Sequence, residues 1–159
     1  MKRTELMLSI VNKPEYQPRV KNSNGIESTW CNHAAIEIIE KLGFESRHFL
    51  NPGGVGWTDA NNIYRNARLA TIEKNMRQLT EQEAIKETNS GGCVIVCAFN
   101  INGGHGHVAV VAPEEVPYRK LGSCAVIQAG TKNGRFNLKE VFNFPELTHP
   151  LFVKCRRKV

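Results

Sequence analysis

Hydrophobic positions recur at two different periods along the chain, and the change of period divides it. From Trp30 to Leu42, the residues Cys31, Ala35, Ile38 and Leu42 fall on one helical stripe, with Glu37, Glu40 and Lys41 on the other side. Ser28 and Thr29 precede this helix as competent N-caps, and Gly43 stops it. Residues 50–57 read as a glycine-rich loop, followed by a second helix capped by Thr58 and running to about Leu69. Thr80 with Glu83 makes a capping box for a third helix, which ends near Asn89–Gly92. Beyond that point the apolar runs become short and β-branched: Cys93–Phe99, His107–Ala112, Cys124–Ala129, Arg135–Leu138 and Leu151–Cys155. The intervening segments 100–106, 113–122 and 130–134 carry turn residues suited to antiparallel neighbours. Helices followed by a meander of strands predict an α+β fold, with N-terminal helices packed on a small antiparallel β-sheet. No repeat or linker interrupts the pattern, so residues 1–159 are expected to form a single domain.

Composition narrows the classes. At 159 residues the chain can bury a core without a disulfide lattice, and its five cysteines (31, 93, 97, 124 and 155) are odd in number and scattered. A reduced interior, or at least one free thiol, is expected. No apolar run reaches the roughly 18 residues of a membrane span. Met1-Lys2-Arg3 opens like a secretory signal, but Glu5 interrupts a short apolar stretch that lacks a cleavage site, so this segment reads as part of the mature protein. Lys and Arg number 21 against 15 Asp and Glu, a formal charge of +6 that favours polyanionic partners. Aromatic and basic residues do not interleave as a single-strand nucleic-acid reader requires, and no nucleic-acid partner is expected. The run Lys154–Lys158 reads most simply as a solvated terminus.

Three residues carry candidate chemistry. Cys31 falls in the first turn of its helix, where unpaired N–H groups and the positive dipole end favour a thiolate and can hold an oxyanion. The same position also suits a buried structural cysteine. His107 opens a strand after Gly103-Gly104-His105-Gly106, and alternation puts His107, Ala109 and Val111 on one face. It is the candidate base, with His105 in the glycine loop as its rival. Gln128 lies in the apolar run Cys124–Ala129, where a buried amide needs a partner and an imidazole is a good one; nearby backbone would also serve. Trp30 and Trp57 can wall a substrate groove, or pack half-buried. Tyr16 and Asn24 are candidate second oxyanion donors.

Other chemistries fit less well. A zinc site from His105, His107, Cys93 and Cys97 fails, because the two cysteines stand about 13 Å apart along a strand whereas ligands of one ion lie within about 4 Å. No metal or cofactor is expected. Pro52–Trp57 lacks the Lys-Ser/Thr ending of a phosphate-binding loop.

The stretch Thr29-Trp30-Cys31-Asn32-His33-Ala34-Ala35 resembles the nucleophile motif of papain-like peptidases and amidases of the CHAP and NlpC type. Gly106–Val111 resembles their Gly-His-hydrophobic strand, and Val126–Gly130 the following strand of phage- and effector-associated members. Thr58–Tyr64, Glu83-Ala84-Ile85 and Val94-Ile95-Val96 resemble intervening elements, so the ordered set spans roughly residues 16–144. The resemblance implies a papain-like fold and a cysteine hydrolase that cuts an amide in peptidoglycan peptide. Cys31 would be the nucleophile, His107 the base and Gln128 the orienting residue, with Trp30, Trp57 and His105 beside the substrate. The third position is more usually His, Asn or an acid in that superfamily. Two rivals stand beside it: a deamidase or transglutaminase-like toxin acting on a protein, and an inactive wall-binding relative. Without a signal peptide, such a hydrolase is expected to be made in the cytoplasm and delivered by secretion machinery or lysis. An antibacterial effector would also have an immunity protein as partner.

Overall fold

The computed structural model describes residues 2–17, 30–50, 59–114, 120–130, 132–143 and 145–159. Within them, five α-helices and a six-stranded antiparallel sheet make an α+β fold. The order along the chain is α1 (Arg3–Val11), α2 (Cys31–Lys41), α3 (Ala60–Ile72), β1 (Arg77–Leu79), α4 (Glu81–Asn89), β2 (Val94–Ala98), β3 (His107–Val111), β4 (Ala125–Gln128), β5 (Gly134–Asn137), α5 (Leu138–Val141) and β6 (Leu151–Lys154). No helix among the described residues is long and apolar enough to cross a membrane.

The local signals account for most boundaries. The Thr80 hydroxyl accepts from Glu83 N–H and the Glu83 carboxylate accepts from Thr80 N–H, which closes the capping box of α4. Helix α3 is capped by Asp59, whose carboxylate accepts from Asn62 N–H at 2.8 Å; Thr58, the expected cap, lies outside the described residues, as do Ser28 and Thr29. Past α2, Gly43 takes φ +88°, a left-handed conformation that glycine enters freely.

The sheet order is β1-β6-β2-β3-β4-β5. Strands β2 to β5 form the expected meander, but β6 inserts between β1 and β2, so the last strand is internal. β1 is an element the sequence pattern did not announce. The sheet is also covered on both faces. On one, α1, α2 and α3 pack over Ile95, Cys97, Val108, Val110, Ile127 and Val153. On the other, α4 and α5 pack over Val94, Val96, Ala109, Val111, Val126 and Phe152. Every residue of β2 is therefore buried, as a strand between two helical layers must be.

One segment gains an element that was not predicted, and two expectations change. The N-terminal segment is a helix whose Met7, Ile10 and Val11 enter the core. Glu37 does not face open solvent: Lys13 pairs with it and Tyr16 Oη donates to it at 2.5 Å, tying the N-terminal segment to α2. The basic C-terminal run is not a free tail, because Lys154 is in β6, Arg156 O accepts from Glu45 N–H at 2.7 Å, and Lys158 N–H donates to Gly43 O at 3.0 Å. All five cysteines are free and buried.

Candidate functional site

The N-terminus of α2 lies against β3. Trp30 occupies the N-cap position without a side-chain cap bond, and Cys31 is the first helical residue, 5% exposed. The thiol is met by the N–H groups of Val108, Asn32 and Cys31 itself, which favour the thiolate. Burial works against them and wins, pushing the Cys31 thiol up to about 11. The helix terminus thus does not yield the resting thiolate that its position suggested, because its few N–H groups do not replace the water lost.

A break in the ladder brings Val108 N–H to the thiol. The β3–β4 register stops at Val110↔Ile127, although Ala112 N–H still reaches Ala125 O at the far end. Towards His107 the two strands are no longer paired, and Cys31 sits at that opening.

His107, half-buried, begins β3, and its Nε2 is hydrogen-bonded to Gln128 Oε1 at the end of β4. The amide orientation is fixed by its other end, since Gln128 Nε2 donates to Lys132 O at 2.9 Å. An amide oxygen only accepts, so His107 carries its proton on Nε2 and leaves the Nδ1 lone pair available. Burial holds the imidazole below its ordinary pKa, partly offset by the Gln128 bond. The resting site therefore contains a neutral thiol and a neutral imidazole. Phe142 packs against the imidazole at 4.7 Å between ring centroids. Gly130 leaves room beside it: a Cβ there would stand 3.7 Å from His107 Cε1.

Strand alternation places His107 and Gln128 on the α4/α5 face, with Ala109, Val111 and Val126, whereas α2 covers the opposite face. The thiol and the imidazole therefore lie on opposite faces of the sheet, and the structure brings His107 to Gln128 but does not bring Cys31 to His107. No thiol–imidazole hydrogen bond is present among the described residues.

The other candidates are placed as follows. Trp30 is half-buried, its indole edge-on to His33 at 4.7 Å. His105 is exposed in the loop before β3, and its carbonyl accepts from Asn100 Nδ2 at 3.1 Å. Trp57 and Asn24 lie outside the described residues. Tyr16 is not placed as an oxyanion donor: its hydroxyl is committed to Glu37, six residues and so about 9 Å further along α2 than Cys31. No group of three metal-ligating side chains occurs among the described residues.

Two residues that pattern reading did not single out deliver His107. Asn61, in the first turn of α3, donates to Gly104 O at 2.9 Å and accepts from Asn100 N–H at 3.0 Å. Asn100, 7% exposed, binds His105 O and also accepts from Asn102 N–H at 2.9 Å. Together they clamp the glycine loop. Gly106 is required at its end, since a Cβ would meet Ala98 O at 2.6 Å and the Asn61 amide oxygen as well. Asn100 sits in a recognisable turn sequence, but nothing local marks Asn61. No family model, curated protein or solved structure matches the chain.

Proposed function

We propose that this chain is a papain-like cysteine hydrolase that cleaves an amide bond in peptidoglycan peptide through an acyl-enzyme. The observation that carries the proposal is the hydrogen bond from His107 Nε2–H to Gln128 Oε1 at the head of β3, one residue before Val108, whose N–H meets the Cys31 thiol from the α2 side. This bond fixes the tautomer that leaves Nδ1 as a base. For turnover the imidazole must reach the α2 side of β3, where His107 Nδ1 takes the thiol proton as Cys31 Sγ attacks the amide carbonyl. The N–H groups around Cys31 stabilise the negative charge, first on sulfur and then on the carbonyl oxygen. The same proton passes from Nδ1 to the departing amine, and water, deprotonated by His107, releases the acyl group. Because both partners rest neutral, proton transfer accompanies attack, and Gln128 orients the imidazole without the charge a carboxylate would add.

The +6 charge suits an anionic cell-wall polymer as a non-specific attraction. On this reading the chain acts on the wall after secretion or lysis, and an immunity protein is the expected partner of an antibacterial effector. A second reading, an inactive wall-binding relative, draws on the buried Cys31 thiol with its pKa near 11 and on the missing thiol–imidazole bond.

Digestion of purified peptidoglycan by wild type and Cys31→Ala, with fragments identified by mass spectrometry, separates these readings. Fragments released by wild type and absent with the variant support the hydrolase, and their masses name the bond. Sacculus binding that is equal in both proteins, without fragments, supports the inactive relative. Neither binding nor cleavage moves the assignment to a protein substrate.

A further inference from the structure

A cavity of about 790 Å³ opens where β1 and β6 meet the C-terminal end of α3. It lies at the far end of the sheet from the thiol: Lys154 pairs with Val94, whereas His107 pairs with Ala98, four residues and about 13 Å further along β2. Lys74, Arg77, Lys154, Arg156 and Arg157 line it against a single carboxylate, Glu87. With Glu83, which pairs with Arg77 from outside the lining, five cations meet two carboxylates, leaving +3 here.

One feature of this concentration runs against stability. Arg77 stands directly opposite Lys154 in the β1–β6 register, and like charges so placed destabilise a sheet. Lys74, at φ +59°, is the left-handed residue that ends α3, with Asn75 N–H donating to Ala70 O at 2.8 Å and Lys74 N–H to Thr71 O at 3.2 Å. Neutralisation is partial: Arg77 meets Glu83 at 3.1 Å and Lys154 meets Glu87 at 3.2 Å, while Lys74 and Arg156 make no ion pair among the described residues. Part of this cluster is nevertheless held in place. Arg157 lies over the Phe44 ring at 4.8 Å and donates to Gly91 O at 3.0 Å, and the Arg156 backbone is bonded to Glu45.

We propose that this cavity is a binding site for a small oligophosphate, a ligand with two or more linked phosphate groups. Its volume is that of a small-molecule site. Guanidinium forks match phosphate oxygens in pairs, and the Lys74 ammonium adds a point charge. Bound phosphate would supply the counter-charge that Lys74 and Arg156 lack among the described residues. The proposal stands independently of the chemistry at Cys31.

The test is calorimetric titration of the intact chain with inorganic tripolyphosphate at low salt, with orthophosphate as comparator. The expected result is one equivalent bound, more tightly than orthophosphate. Affinity should fall about tenfold or more in Lys74→Ala/Arg156→Ala, which removes two charge-assisted contacts. It should be unchanged in Cys31→Ala and in a control, Lys132→Ala/Lys139→Ala, that lowers net charge equally elsewhere. Both lining residues are exposed, and far-ultraviolet circular dichroism checks that each variant is folded. Equal weakening in the lining and control variants, or no saturable binding by wild type, would overturn the proposal.

Discussion

Replacing Gln128 by Glu tests the tautomer on which the site depends, without requiring a substrate. The change is isosteric, so an oxygen still accepts the His107 Nε2–H, but the acceptor becomes anionic while the donor to Lys132 O is lost. A unit charge about 4 Å from the imidazolium, at an effective dielectric of about 20, is worth about 4 kcal/mol, or about 3 pH units. The carboxylate must itself lose water at a position that is 5% exposed, so a net rise in the His107 pKa of about 1–2 units is expected. Wild-type His107 starts below 6.5 because burial disfavours its cation, and the variant should titrate above it. Nuclear magnetic resonance reads both quantities: the Cε1–H shift against pH gives the pKa, and the two ring ¹⁵N shifts give the tautomer, with His107→Gln supplying the assignment. A His107 pKa in Gln128→Glu no higher than in wild type would refute the reasoning. So would a wild-type imidazole protonated on Nδ1.

The remaining expectations concern the thiol, the glycine loop and acid. Alkylation of Cys31 by iodoacetamide, mapped by mass spectrometry, should rise about tenfold per pH unit from about pH 7 to 10, since burial sets the thiol near 11; a plateau by about pH 8 would show an activated thiolate instead. Cys31 should also be labelled before Cys97 and Cys124, whose thiols burial raises further. Gly106→Ala forces a Cβ against Ala98 O and should cost about 1–3 kcal/mol of stability, read as a lowered urea midpoint; an unchanged midpoint would mean that the loop yields. Acid should destabilise in two steps. The unfolded chain binds the His107 proton first because the folded value lies below 6.5, so stability is constant at higher pH and falls below about 6.5. Burial raises Glu37, but its Lys13 and Tyr16 bonds outweigh that and lower it. Its contribution is therefore present above about 4.5 and lost as pH falls through the folded value. Urea midpoints across pH for wild type and His107→Gln check the first step, which the variant should lack.

What was legible depended on the range of the interaction. The Thr80–Glu83 box and the β2–β3–β4 hairpins are written in residues close together in sequence, and alternation alone puts His107 and Gln128 on one face of neighbouring strands. The fold class followed from the same signals. Helix α1 was missed because nine residues with Leu6 and Leu8 flanking Met7 give little contrast between faces; the core that receives them is built elsewhere. Pairing of Arg77 with Lys154 joins residues 77 positions apart, and turn chemistry says nothing about such partners, so the insertion of β6 and the docking of the basic segment were invisible. The state of the thiol follows the same division. A helix N-terminus is a local feature, but the desolvation that outweighs it comes from α2 packing on β3.

The internal position of β6 also orders events in time. β2 to β5 are joined by short connections, so the hairpin that pairs His107 with Gln128 closes small loops and should form early. β1 has one sheet neighbour, β6, and must wait about 75 residues of chain for it. The two ends of the molecule should therefore mature separately. In refolding, the imidazole environment reports a fast phase, and the basic cavity becomes complete in the step that threads β6 between β1 and β2. During synthesis, the same delay leaves one edge of β2 open until that last strand arrives, which makes β2 the segment most exposed to mispairing.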